Sequence, residues 1–90
     1  MHTDEFEISL HRELKVCENT IQRINKTLGL MERKYHKTTE AFIEEYRSAK
    51  LATDLENKDD YVAWESSYAS LRQWQDLEQQ YREQFRIMKI

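Results

Sequence analysis

Leu10, Leu14, Cys17, Ile21, Ile24, Leu28, Met31 and Tyr35 recur at spacings of 4, 3, 4, 3, 4, 3 and 4, and the positions between them are mostly charged or amide residues. Such spacing keeps one apolar stripe on a single face of an α-helix and is out of step with the two-residue period of a strand. Phe6 extends the stripe one turn upstream, and Thr3 or Asp4 can cap the start. The spacing predicts a helix over residues 4–36, on the order of 50 Å long at about 1.5 Å per residue. Gly29 lies inside it and costs up to about 1 kcal/mol relative to alanine. The seam keeps its phase through Gly29, so the helix is read as continuous.

A stripe of this kind needs a second one to cover it. The chain has no proline and one glycine among 90 residues, which leaves little turn chemistry for a sheet and favours long helices with few connections. Thr38 or Thr39 can cap a shorter helix over 39–50, with Ala41, Phe42, Tyr46 and Ala49 as its apolar face. A bent continuation of the first helix is the alternative. Residues 51–57 read as a linker. Asn57 followed by Asp59 and Asp60 suits a helix start, because a cap and early acidic residues satisfy the amides and dipole there. The last helix is expected over 58–87. Its stripe is Tyr61, Trp64, Tyr68, Leu71, Trp74, Leu77, Tyr81, Phe85 and Met88, with two extra spacings of 3 around Trp74 that shift the heptad phase.

The expected fold is therefore all-α: one domain, a helical hairpin of two long antiparallel helices with a short intervening helix. One partner helix covers only one side of each stripe, so the hairpin is expected to assemble into an oligomeric helical bundle.

Composition narrows the function. The net charge is −3, which does not suit a general nucleic-acid binder. Residues 1–37 carry seven Lys/Arg and six Asp/Glu, whereas residues 38–90 carry seven and eleven, so the acidity lies in the second half. A basic partner would be drawn there. Arg33 to Lys37 is the one dense basic patch, flanked by Glu32 and Glu40; a solvated helix end explains it, and RNA contact is the competing reading. The single cysteine cannot form an internal disulfide, no apolar stretch approaches membrane-spanning length, and the first residues lack a signal-peptide pattern. A reducing cytoplasm is the expected compartment.

The chemistry-bearing residues do not converge. Glu7 with His11 and Glu32 with His36 are four apart, but neither pair has a second ligand at metal spacing, so surface ion pairs are expected. Cys17 sits on the seam as a small apolar residue with no base beside it. Asp54, Glu56, Asp59 and Asp60 lack the alternation, central glycine and closing glutamate of a calcium loop. No catalytic, metal or cofactor-binding residues are assigned, and the chain is read as non-enzymatic. What remains is the aromatic stripe. Ordinary hairpin core explains most of it. The functional reading takes Tyr61, Trp64, Tyr68 and Trp74 as partner-binding residues, since Trp and Tyr dominate binding hot spots.

Residues 32–74 carry one further pattern: Lys34-Tyr35 closing the first helix, Phe42 and Tyr46 in the short helix, an Asp-rich turn, then Asp60-Tyr61 ahead of Trp64-Glu65. This stretch resembles the small helical antitoxin-like proteins of prokaryotic toxin–antitoxin loci. It departs from them in carrying His36 where a glycine is expected, and in a longer linker before Asn57. The resemblance implies a cytoplasmic, prokaryotic accessory protein that binds a partner, a toxin-like protein encoded beside it, and neutralises or stabilises it. The competing class is a structural homo-oligomer whose stripe is covered by its own symmetry.

Overall fold

A computed structural model describes residues 4–88, with side chains from Glu7 onward. Thr3 as a cap, and the side chains of Asp4 and Phe6, lie outside the described residues. The elements are α1 (Asp4–Tyr35), α2 (Thr39–Arg47) and α3 (Lys58–Met88). The start of α1 meets the end of α3: Tyr81 Oη donates to Glu13 at 3.3 Å and Arg82 to Glu18 at 3.2 Å. At the other end Lys34 reaches Asp60 at 2.6 Å. The long helices are thus antiparallel, and α2 folds across their closed end. The protein measures 60 × 20 × 17 Å.

α1 runs unbroken through Gly29, as the constant seam phase requires. Leu10, Cys17 and Leu28 of the seam are buried, while Ile21, Ile24, Met31 and Tyr35 are partly covered. The helix stops at Tyr35 because His36 takes a left-handed backbone, φ 56°. The Lys37 N–H then bonds back to the Glu32 carbonyl at 3.3 Å, closing the final turn.

α2 is a separate helix rather than a continuation of α1. The Thr38 hydroxyl accepts the Ala41 N–H at 3.1 Å, the expected cap. The Glu32 carboxylate accepts the Thr39 N–H at 2.8 Å and so caps α2 from the neighbouring helix. The expected pairing of Glu32 with His36 is replaced by this bond, since His36 has left the helix.

The end of α2 falls at Arg47, three residues short of the expected 50. Ala49 adopts φ 63°, and the Ala49 and Lys50 N–H groups bond back to Tyr46 and Glu45. This is the helix-closing arrangement that usually employs glycine. A run of turns over 48–57 then brings the chain to α3. The Asn57 carbonyl accepts the Tyr61 N–H at 3.0 Å, but its side chain faces Tyr35 and Asp54 instead of capping the helix.

Candidate functional site: the elbow of the hairpin

The buried core concentrates where α2 crosses the long helices. Leu28, Phe42, Ile43, Tyr61, Trp64 and Leu71 form one cluster, and Tyr35, Tyr46, Leu51 and Tyr68 pack against it. Trp64 is fully buried. Its indole lies flat on Phe42, with ring centres 4.0 Å apart and planes 2° from parallel, and Tyr35 stacks near it at 5.6 Å. Tyr61 meets Phe42 at 5.5 Å and Tyr35 at 5.4 Å. Six of the ten aromatics thus gather at one elbow. Aromatic pairs at such distances contribute about 0.5–1.5 kcal/mol each beyond their burial.

Each buried polar tip in this cluster has a partner, which fixes the rings in place. Trp64 Nε1–H donates to Thr39 Oγ1 at 3.0 Å, and Thr39 is itself buried at the start of α2. Tyr35 Oη donates to Asp60 at 2.5 Å and lies 3.1 Å from Asn57 Oδ1. Tyr61 Oη donates to Asp54 at 2.7 Å, and Asn57 Nδ2 to the same carboxylate at 3.1 Å. The Asp-rich turn therefore serves as the acceptor set for the aromatic core, a role quite different from a cation loop.

Electrostatics follow the bonds. Burial, then the Asp60 bond, pushes the Tyr35 phenol up to about 12. Burial, then Asp54, does the same to Tyr61. Asp54 is held below the ordinary carboxylate range, chiefly by the Tyr61 hydroxyl. Asp60 is lowered by Lys34 first and Tyr35 second. Both acids stay ionised and both phenols protonated around neutral pH. Among the described residues no group of three or more His, Cys, Asp or Glu is placed to hold a metal.

Of the four partner-binding candidates, Tyr61 and Trp64 turn out to be core. A partner cannot reach Trp64 without opening the hairpin, because Phe42 of α2 lies flat on the indole. Tyr68 and Trp74 are half-buried and keep surface to offer. The structure brings Tyr61, Trp64 and Tyr68 into one cluster; Trp74 lies further along α3, outside it.

The basic patch is partly neutralised, with Lys34 paired to Asp60 and Lys37 to Glu45 at 2.8 Å. Cys17 is buried, and burial, then Glu78, Glu13 and Glu18, raises its thiol pKa, so it stays protonated. His11 packs edge-on against Phe85 at 4.5 Å.

Beside the aromatic cluster lies a cleft of about 320 Å³, lined by Tyr46, Ala49, Leu51, Ala52, Asp54, Leu55, Lys58 and Tyr61. Leu55 is 73% exposed and is flanked in sequence by Asp54 and Glu56. No periodicity in the sequence marks it. Its signal was a lone leucine in an acidic linker, where a purely connecting turn has no use for one.

No helix among the described residues is long and apolar enough to cross a membrane. Comparison with protein-family models, with curated proteins and with solved structures finds no match.

Proposed function

We propose that this chain is a non-enzymatic protein-binding module that acts as the small antitoxin-like proteins do, docking on a partner protein to neutralise or stabilise it. The observation that carries this reading is Leu55: a large apolar side chain standing in solvent at the mouth of an apolar cleft. Asp54, Glu56 and Asp59 stand close by in sequence, and the second half of the chain carries the acidic excess. An apolar anchor with an anionic surround suits a basic protein surface, the anchor giving affinity and the charges steering encounter. The hydrogen-bonded core behind the cleft holds it in shape, which lowers the entropic cost of binding. The same reading assigns no cofactor, no nucleic acid and a cytoplasmic site of action.

The test is co-expression with the protein encoded beside it. A complex should form and should be lost on Leu55→Glu, while helicity by circular dichroism is unchanged, because Leu55 is outside the core. A complex that survives Leu55→Glu together with Glu56→Lys and Asp59→Lys would remove the elbow as the binding surface.

A structural homo-oligomer is the second reading, and one observation favours it. The radius of gyration, 17.6 Å, well exceeds the roughly 12 Å of a compact domain of this length.

A further inference from the structure

Two tyrosine–aspartate pairs stand side by side at the elbow, and one of them lacks a cation. Tyr35 Oη donates to Asp60 at 2.5 Å and Tyr61 Oη to Asp54 at 2.7 Å, with the two rings 5.4 Å apart. In the first pair the Lys34 ammonium meets Asp60 at 2.6 Å and stands 5.5 Å from the centre of the Tyr35 ring. One ammonium thus serves a carboxylate and an aromatic ring together. Among the described residues no Lys or Arg comes within ion-pair distance of Asp54.

The Asp54 charge is fixed all the same. Its donors are the Tyr61 hydroxyl and the backbone and side-chain N–H groups of Asn57, all of them neutral. They hold the acid ionised, its pKa lowered chiefly by Tyr61, and leave its charge uncancelled. A carboxylate has about four acceptor sites, so these donors leave one open. Asp54 and Tyr61 both line the cleft of about 320 Å³, whose apolar walls include Leu51, Ala52 and Leu55. Tyr46 and Ala49 bring the C-terminal end of α2 to the same cleft, where the helix dipole favours a cation. Lys58 is on the lining too, but its side chain is exposed and makes no pair with Asp54.

We propose that this cleft takes a lysine side chain of the partner protein, its ammonium on Asp54 beside Tyr61 and its methylenes along Leu51 and Leu55. The grouping of Lys34, Asp60 and Tyr35 is the template, repeated with the ammonium supplied from outside. The inference deepens the docking reading of the elbow and rests on it. Lysine is selected over arginine, since a guanidinium fork wants two acceptor oxygens and Asp54 has one site left. It is selected over an uncharged anchor as well, because an apolar residue would cover the Asp54 charge without pairing it.

The probe is n-butylammonium, the lysine side chain alone, titrated into the full chain at constant ionic strength and followed by the NMR shifts of the amides of residues 46–61. It should bind at least about tenfold more tightly than n-butanol, the worth of one hydrogen bond to a charged group. Asp54→Asn keeps an acceptor for Tyr61 but loses the charge, so the preference should vanish. Lys58→Gln removes the like charge from the rim and should tighten butylammonium binding, a gain that misfolding does not mimic. Asp76→Asn removes the same charge elsewhere on α3 and should change nothing. In the complex with the partner, Asp54→Asn should raise Kd by at least about tenfold. Equal binding of n-butanol and n-butylammonium, a preference that survives Asp54→Asn, or a complex indifferent to Asp54→Asn overturns the inference. If Leu55→Glu still abolishes the complex in those cases, the docking reading stands and the lysine alone fails. A complex that survives the triple change at Leu55, Glu56 and Asp59 fails both.

Discussion

Replacing Trp64 by alanine should be the most destabilising single change in the chain. The indole is fully buried, lies flat on Phe42 at 4.0 Å, and donates to Thr39 at 3.0 Å. Truncating a buried aromatic to alanine costs about 3–5 kcal/mol. The substitution also strands the buried Thr39 hydroxyl, which belongs to the upper part of that range. A chain of 90 residues has a total stability of about 5–13 kcal/mol, so the loss removes a large share of it. At about 4–8 °C per kcal/mol, the melting temperature should fall by about 12 °C or more. The assay is a thermal melt at 222 nm at one fixed protein concentration. Trp64→Phe keeps a ring against Phe42 but lacks the N–H, and should cost about 1–3 kcal/mol. Combining it with Thr39→Val should recover about 1 kcal/mol, because neither buried polar group is then left alone. A Trp64→Ala protein melting within about 3 °C of its parent would refute the assignment of this indole to the core, since no cavity term of the expected size would be present.

Three backbone changes should each raise stability by about 0.5–1 kcal/mol, seen as a higher midpoint in urea: Gly29→Ala, His36→Gly and Ala49→Gly. The first fills a helical position where a Cβ would lie an ordinary 3.7 Å from Arg33; the others relieve left-handed residues at φ 56° and 63°. Tyr35 and Tyr61 have folded pKa values raised to about 12. The stability they give is complete below about pH 10, the unfolded value, and lost as pH rises toward 12. Absorbance titration near 295 nm should show Tyr35 and Tyr61 ionising last, with Tyr81 also raised, by burial and then Glu13. Asp54 and Asp60 have lowered pKa values, so their contribution holds above about pH 4 and disappears as acid carries the pH through the folded values. Asp54→Asn and Asp60→Asn together should flatten the acid limb of a Tm-against-pH curve.

Much of this architecture is legible in the sequence, and the parts that are not share a cause. The seam from Leu10 to Tyr35 specifies α1 because a period of 3.5 is local information. The start of α3 is legible for the same reason. The burial of Trp64 was not, since it depends on α2 crossing the hairpin above it, a contact between residues 42 and 64 that no periodicity encodes. The Glu32 bond to the Thr39 N–H was equally hidden: it spans a left-handed turn at His36, and spacing alone suggested a pair within the helix. The phase slip at Trp74 was visible as a break in spacing, but that it leaves Trp74 outside the elbow cluster was not. Of the binding candidates, Tyr68 and Trp74 retain surface, whereas Leu55 drew no attention because a single apolar residue in a linker carries no period.

The assignment of Trp64 to the core of the elbow is tested most directly by the fluorescence of the Trp74→Phe protein, in which Trp64 is the sole indole. Its emission should be blue-shifted and nearly insensitive to acrylamide until the protein unfolds. Emission at the wavelength of a hydrated indole, quenched as freely in the folded protein as in the unfolded one, would contradict the packing of the elbow.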